Sequence, residues 1–408
     1  MRANLQRSWS RISASRRGAT VCAIFYLAFF AFYFAERPSY DWDMLAYIAV
    51  ALHIEGTPAA RIHDETYDIL RSSVPRAWVD NLTGNFNQDA VAVGEATTRM
   101  SDIDLRQDWA AHSDSFAAQL PFFSVKPLYP ALMALGNSLG LPLIQSGLVV
   151  SAVSFVLIGL TLYAWFLHWM PPFVALGAMA LLVLNPWLVI LARSVGPDIL
   201  SIAFLLGGAY FAMQDRPVVS AIIFVVSITA RPENLLYAGT FLCYLGIVRG
   251  LSLLQTGGFL VAAFLAYLGV SSLSNNYGWK TLFYFVFVNR SARPGAAAPH
   301  IGLQELVLAY IGRLDRIFLG QGELPVFALI GYGAVCLKLR ARHAHEILRD
   351  KYAHLIVIAV VAGLARIVLL PTEAFRGLLP TYMLLSIALV NACSTSFAPP
   401  ARPSMIPR

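Results

Sequence analysis

Long apolar runs recur along most of the chain, and nothing constrains its fold more. Crossing a hydrocarbon core of roughly 30 Å takes about 20 helical residues, and every backbone polar group inside must be paired within the segment, so such runs read as spans. In order they are Ala19–Ala35, Leu143–Leu167, Phe173–Ala192, Ile199–Met213, Val218–Ala230, Leu235–Val248, Leu253–Leu273, Leu324–Leu339, Tyr352–Leu370 and Gly377–Cys393. The pattern predicts an all-α polytopic membrane protein with about ten transmembrane helices and a long first external loop. Hydrophobic residues make up 58% of the chain and charged ones 13%, which is more apolar than a soluble domain.

Lys and Arg collect on the cytoplasmic flanks of spans, and this bias orients the chain. It places the tail 1–18, the connections Gln214-Asp215-Arg216 and Arg249-Gly250, the cluster Lys338, Arg340, Arg342, Arg349 and Lys351, and the tail 394–408 on the cytoplasmic side. Both termini are therefore expected there. The first span, 19–35, reads as a retained anchor, because its apolar core is long and Glu36-Arg37-Pro38 offers no small-residue cleavage site. Within the multi-helix part, 127–393, a second external loop at about 274–323 carries Lys280, Arg290, Arg293, Arg313 and Arg316. Positive charge on that side means either a misplaced loop or a site for an anion. Basic cytoplasmic loops account for much of the net charge of +7, so it does not point to nucleic acid. The four cysteines all fall in predicted spans and form no disulfide or zinc framework.

The first external loop, 36–126, opens on Asp41-Trp42-Asp43. Behind this acidic pair, Leu45, Ile48, Ala49 and Leu52 make an apolar stripe that stops at Gly56 and Pro58. An interfacial helix lying on the membrane is expected, with Asp43 and Tyr47 on one face and Asp41 at the N-cap. Residues 57–119 turn polar, with scattered acidic side chains, and read as a solvated subdomain of short helices. The loop closes on Lys126-Pro127-Leu128-Tyr129-Pro130, where Lys126 suits either a headgroup anchor or a phosphate contact.

Further polar groups gather on the same side. Asp198 follows Arg193 and opens the fourth span, where the helix dipole alone would favour it. Arg231 and Glu233 interrupt two short apolar runs and either pair with each other or face a ligand. Arg290 and Arg293 follow the aromatic run Phe283-Tyr284-Phe285-Val286-Phe287, a combination suited to an interface or to an amphipathic ligand with a phosphate. Arg376, within Glu373–Pro380, either snorkels or meets a ligand. Carboxylates that take a proton and cations that stabilise a leaving phosphate are the equipment for transferring a group from a phosphate-activated lipid donor. The alternative is a non-catalytic transporter or flippase-like protein, which would need ionisable residues or broken helices at mid-membrane. The spans are largely free of mid-helix charge, and no nucleotide-binding glycine loop is present.

The order of these motifs resembles the C-type glycosyltransferase superfamily (GT-C), polytopic enzymes that use polyprenyl-phosphate sugars and include protein mannosyltransferases and lipid A aminoarabinose transferases. The likeness rests on Asp41-Trp42-Asp43 with Tyr47, Lys126-Pro127-Leu128-Tyr129-Pro130, Arg193 to Asp198, Arg231-Pro232-Glu233, and Arg376 with Pro380, over residues 19–393. The family's Lys-Pro-Pro-Leu-Tyr pattern has Leu128 in place of its second Pro, and residues 57–119 have no counterpart. The resemblance implies a membrane glycosyltransferase with an external site, a polyprenyl-phosphate-sugar donor, and a glycan, lipid or protein acceptor; a bacterial inner membrane is expected over an endoplasmic reticulum membrane because no retention signal is evident. Asp43 or Asp41 would be the general base. On this likeness Lys126 and Arg376 would hold the donor phosphate; Arg231, Arg290 and Arg293 join them as phosphate candidates on their own chemistry and position, with Tyr47, Asp198, Tyr129 and Glu233 in support. Some relatives hold a divalent metal on an acidic pair, so Asp41, Asp43 and Asp198 form a candidate oxygen-ligand set.

Overall fold

A computed structural model describes residues 2–85, 102–295, 300–315, 330–336, 350–371 and 375–396, and every regular element among them is helical. Helix α1 (Arg2–Ala35) leads into a group of short helices: α2 (Asp43–Ile54), α3 (Ala59–Ser73), α4 (Arg76–Leu82), α5 (Asp102–Ala111), α6 (Ser113–Ala117), α7 (Pro121–Ser124) and α8 (Leu128–Ser138). The apolar bundle follows as α9 (Leu143–Phe166), α10 (Pro172–Val183), α11 (Pro186–Arg193), α12 (Asp198–Met213), α13 (Pro217–Ala230), α14 (Asn234–Val248) and α15 (Leu253–Leu273). Next come α16 (Gly278–Phe283), a π-helical turn (Tyr284–Val288), α17 (Leu303–Asp315), α18 (Lys351–Leu369), a 3-10 turn (Phe375–Gly377) and α19 (Leu379–Ser396).

Among the described residues, four helices are long and apolar enough to cross a membrane, over Ser15–Ala35, Leu143–Phe166, Leu253–Leu273 and Lys351–Leu369. They mark a membrane-embedded protein. The expected single span at 173–192 is instead two helices, α10 and α11, bent by 70°, which make a fifth crossing if the pair counts as one. The break follows from Asn185-Pro186. Proline has no N–H to continue the ladder, and the Asn185 side chain accepts from Trp187 N–H at 3.0 Å, capping a new helix. Helices α12, α13 and α14 have 16, 14 and 15 residues. At 1.5 Å per residue they reach about 21–24 Å, short of a full hydrocarbon core. The run 324–339 and the basic cluster at 338–349 lie largely outside the described residues, as do Arg316, Glu373 and the tail 397–408.

Small residues let the bundle close. A side chain at Gly159 would collide with Leu27, so α1 and α9 approach closely there. Polar ends segregate to the two ends of the bundle. At one end Arg249 pairs with Asp215 at 2.6 Å and Lys351 Nζ donates to the Met213 carbonyl at 2.6 Å. At the other, Ser39 N–H reaches the Arg193 carbonyl at 2.8 Å, and the C-terminal ends of α13 and α18 meet the N-terminal ends of α12, α14 and α19.

Helix α2 departs from the interfacial helix expected of it. Met44 to Leu52 are buried on every side, enclosed by α3, α7, α8 and α9. A helix apolar all round belongs in a core, and the neighbouring short helices supply the cover that a single-stripe view left to lipid. Its end is as expected: Gly56 adopts φ +89° just past the last turn, a conformation glycine takes without strain.

Candidate functional site

Asp41 and Asp43, two residues apart at the start of α2, differ in role. The N-cap position falls on Trp42 rather than on Asp41 as expected, and the Asp41 carboxylate, one position earlier, accepts from Met44 N–H at 3.1 Å and so still satisfies a first-turn donor. Asp43, in the first turn, accepts from Arg376 Nη1 at 2.7 Å. Arg376 arrives from the 3-10 turn before α19, and the same nitrogen lies 4.0 Å from Asp198. Asp198, on the first turn of α12, is buried and takes a hydrogen bond from Arg231 Nη1. Arg231 also reaches Glu233 with Nη2 at 3.3 Å. Asp43, Arg376, Asp198, Arg231 and Glu233 thus alternate in charge across four separate segments. The mutual Arg231–Glu233 pair read from the sequence exists, but Asp198 completes it.

Lys126 lies beside this chain of ion pairs. Its ammonium donates to Tyr47 Oη at 3.0 Å and sits 5.6 and 5.3 Å from the ring centres of Tyr47 and Phe123. Tyr47 is fully packed and holds Lys126 rather than meeting solvent.

A cavity of about 750 Å³ opens over these groups. Asp43, Lys126, Arg231, Glu233 and Arg376 all line it. So do Arg290, which follows the π-helical turn, Arg313 from α17, Arg106 from α5, and Arg366 from the last turn of α18. Among the described residues, seven positive side chains (Arg106, Lys126, Arg231, Arg290, Arg313, Arg366, Arg376) therefore face two negative ones (Asp43, Glu233). Counting Asp41 and Asp198 behind them still leaves seven against four. The lining is otherwise largely apolar and aromatic and includes Tyr267, Trp279, Leu282, Phe285, Phe287 and Leu369. The π-helical turn presents Phe285 and Phe287 together, a local widening of the helix that recurs at functional sites.

Electrostatics follow from this crowding. Burial, then the neighbouring Asp43, pushes the Asp41 carboxyl up to about 7. Burial works the same way on Asp43, but Arg376 and Lys126 outweigh it and hold that carboxyl below the usual range. Glu233 is likewise buried, yet Arg231, Arg366 and Lys126 hold it well below the carboxylate range. Burial, then the charge of Arg231, brings the Lys126 ammonium down to about 8.

Several expected site residues fall elsewhere. Arg293 lies outside the cavity and pairs with Asp114 at 2.6 Å, both more than half exposed, so it ties two surface segments together. Tyr129 is a packing residue: its hydroxyl donates to the Gly147 carbonyl at 2.9 Å and meets Ser151 Oγ at 3.1 Å. Asp41 and Asp198 do not line the cavity. Among the described residues no group of three His, Cys, Asp or Glu side chains is arranged to hold a metal ion, and Asp41, Asp43 and Asp198 do not converge. Asp43 and Asp198 spend their oxygens on guanidinium groups instead.

The sequence reading passed over Arg366, Arg106, Trp109 and Gln119. Arg366 is 6% exposed, donates to the Leu370 carbonyl at 3.2 Å, and is covered by Gly377, where a side chain would press on its guanidinium. A buried charge so near a membrane-embedded helix end is costly without a function or a partner, the one signal that could have found it. Arg106, Trp109 and Gln119 bring the polar region 57–119 into the cavity wall, where Trp109 and Gln119 anchor to the Ala292 carbonyl at 3.3 and 2.9 Å. Comparison with protein-family models, characterised proteins and solved structures found no match to this chain.

Proposed function

We propose that this protein is a membrane glycosyltransferase that moves a sugar from a polyprenyl-phosphate donor to an external acceptor hydroxyl. The observation carrying it is that Asp43, Lys126 and Arg376, from three distant segments, line one cavity with an excess of cations and an apolar wall. A volume of about 750 Å³ suits a sugar-phosphate headgroup rather than a whole polyprenyl chain, whose tail would leave along Trp279, Leu282 and Phe285 into lipid. The acceptor is a glycan, lipid or protein.

In the reaction, the acceptor oxygen attacks the anomeric carbon while the bond from that carbon to the phosphate oxygen breaks. The phosphate leaves with the electron pair and is stabilised by Lys126, Arg231 and Arg376. The acceptor proton passes to Asp43. A single displacement inverts the anomeric centre. Arg376 links the two halves: when a donor phosphate draws it away from Asp43, that carboxylate loses its strongest neutralising partner and becomes a better base.

The proposal places the chain in a bacterial inner membrane with about ten crossings, both termini cytoplasmic and the cavity on the external side. Support comes from the basic end of the bundle at Arg249 and Lys351, opposite the cavity. Helices too short for the full core would leave the site recessed, within reach of a lipid phosphate. Sugar transfer assayed in membranes tests the function. Asp43→Asn is expected to abolish transfer while the protein still inserts and folds, and unchanged transfer in Asp43→Asn, Asp41→Asn and the double variant refutes the carboxylate mechanism.

A further inference from the structure

Among the described residues, Glu233 is the one cavity-lining carboxylate that the displacement does not use. Its Oε1 accepts from Arg231 Nη2 at 3.3 Å, whereas Oε2 is buried and has no hydrogen-bond partner among the described residues. A buried, unpaired carboxylate oxygen forfeits its solvation, so its retention calls for a partner that arrives with a ligand or a resident water. The side chain borders both the large cavity and a small chamber of about 20 Å³ beneath it.

The surroundings decide what that partner is. Arg231, Arg366 and Lys126 act on Glu233 together and keep it ionised, so it accepts hydrogen bonds and does not take protons near neutral pH. The same three cations repel an ammonium group, leaving a neutral hydroxyl as the matching donor. Arg366, buried against Gly377, acts on the carboxylate through its charge and donates its hydrogen bond to the Leu370 carbonyl, not to Oε2. Lys126 and Arg231, expected at the phosphate, flank the same carboxylate, so its ligand partner sits close to the phosphate, as sugar hydroxyls do.

We propose that Glu233 selects the transferred sugar, accepting a hydrogen bond from one of its hydroxyls on Oε2. Glu233 has this role only if the cavity takes a sugar phosphate, as argued above. A site built to bond a hydroxyl rejects a sugar that lacks it or carries it in the wrong configuration, because the carboxylate is then left unpaired. Glu233 thereby sets which sugar is bound, while Asp43 sets whether it reacts.

The test uses the full-length protein in detergent and the tryptophan fluorescence of Trp42, Trp109 and Trp279, which line the cavity. The probes are dodecyl methyl phosphate, which has the donor's charge and no sugar, and a panel of dodecyl hexosyl phosphates differing in single hydroxyls. In the wild type, one hexosyl phosphate is expected to bind at least about tenfold tighter than the methyl compound, the scale of one charge-assisted hydrogen bond. Glu233→Gln and Glu233→Asp, both checked for wild-type melting, should lose that preference. Their affinity for dodecyl methyl phosphate should stay the same or tighten. Equal weakening of both probes, or a preference that survives both substitutions, overturns the proposal. So does a variant that loses only stability, which is the mark of a resident water, and so does tighter binding of an amino-hexosyl phosphate. Binding of dodecyl methyl phosphate without any sugar preference removes the role of Glu233 and leaves the phosphate site standing. Binding of neither probe removes the site and the role together.

Discussion

Replacing the two acidic residues of α2 one at a time separates chemistry from packing. Asp43→Asn removes the only carboxylate among the described residues that both lines the cavity and contacts Arg376. A positioned general base contributes about 10²- to 10⁴-fold, or about 2.7–5.5 kcal/mol at about 1.36 kcal/mol per decade. The cost to folding is far smaller. The Asp43–Arg376 pair is 25% and 42% exposed, so solvent screens it and the lost attraction is worth about 1 kcal/mol or less. Asp41→Asn should behave in the opposite way. Asparagine caps a helix as well as aspartate, so the bond to Met44 N–H persists. Burial, then Asp43, raises the folded-state Asp41 carboxyl to about 7, above its unfolded value. Its contribution to stability is therefore full at low pH and is lost as pH rises through about 7, where a second negative charge appears beside Asp43. Asp41→Asn should melt higher than wild type at pH 8, with the gain fading toward pH 5, and should keep transfer within about tenfold. Sugar transfer in vesicles and melting of the purified protein at both pH values make the comparison. A loss of about 10²-fold or more in Asp41→Asn with full activity in Asp43→Asn would reverse the assignment.

Lys126, brought down to about 8, should lose its charge as pH rises, so dodecyl methyl phosphate binding should weaken by up to about tenfold between pH 7 and 9. Lys126→Met should bind weakly throughout, and a wild-type affinity flat across that range would contradict the phosphate role. Arg231→Ala strands Asp198 and Glu233 without their shared partner and should cost about 3–5 kcal/mol of stability by chemical denaturation. Arg293→Ala breaks an exposed pair and should cost no more than about 1 kcal/mol, with transfer unchanged. In a variant without the native cysteines, Asp68→Cys should react with an impermeant maleimide from outside and Asp215→Cys only after permeabilisation; the reverse labelling would invert the topology.

Much of the site could be listed from the sequence, because charged residues at the ends of apolar runs are costly and hence conspicuous. Asp43, Lys126, Arg231, Glu233, Arg290 and Arg376 were visible in that way, and all six line the cavity. Arg293 looked equivalent to Arg290, yet its partner, Asp114, lies 179 positions away and no local pattern announces it. Arg366 was hidden for the opposite reason: one Arg in the last turn of a span resembles a snorkelling side chain, and only packing against Gly377 makes it a buried charge. The α2 stripe predicted a helix correctly and its surroundings wrongly, since the helices that cover it come from a polar region with weak periodicity.

By itself the sequence determined that this chain is helical and embedded in a membrane. Transfer free energies accumulate residue by residue, so an apolar run states its own preference wherever the rest of the chain goes. The tertiary structure decided which charges meet. Asp43 and Arg376 are 333 positions apart and end 2.7 Å from each other, and Lys126 shares their cavity from a third segment. That convergence depends on where short helices end and how the helices of the 43–138 segment close over them, a property of packing among distant segments that no local spacing encodes.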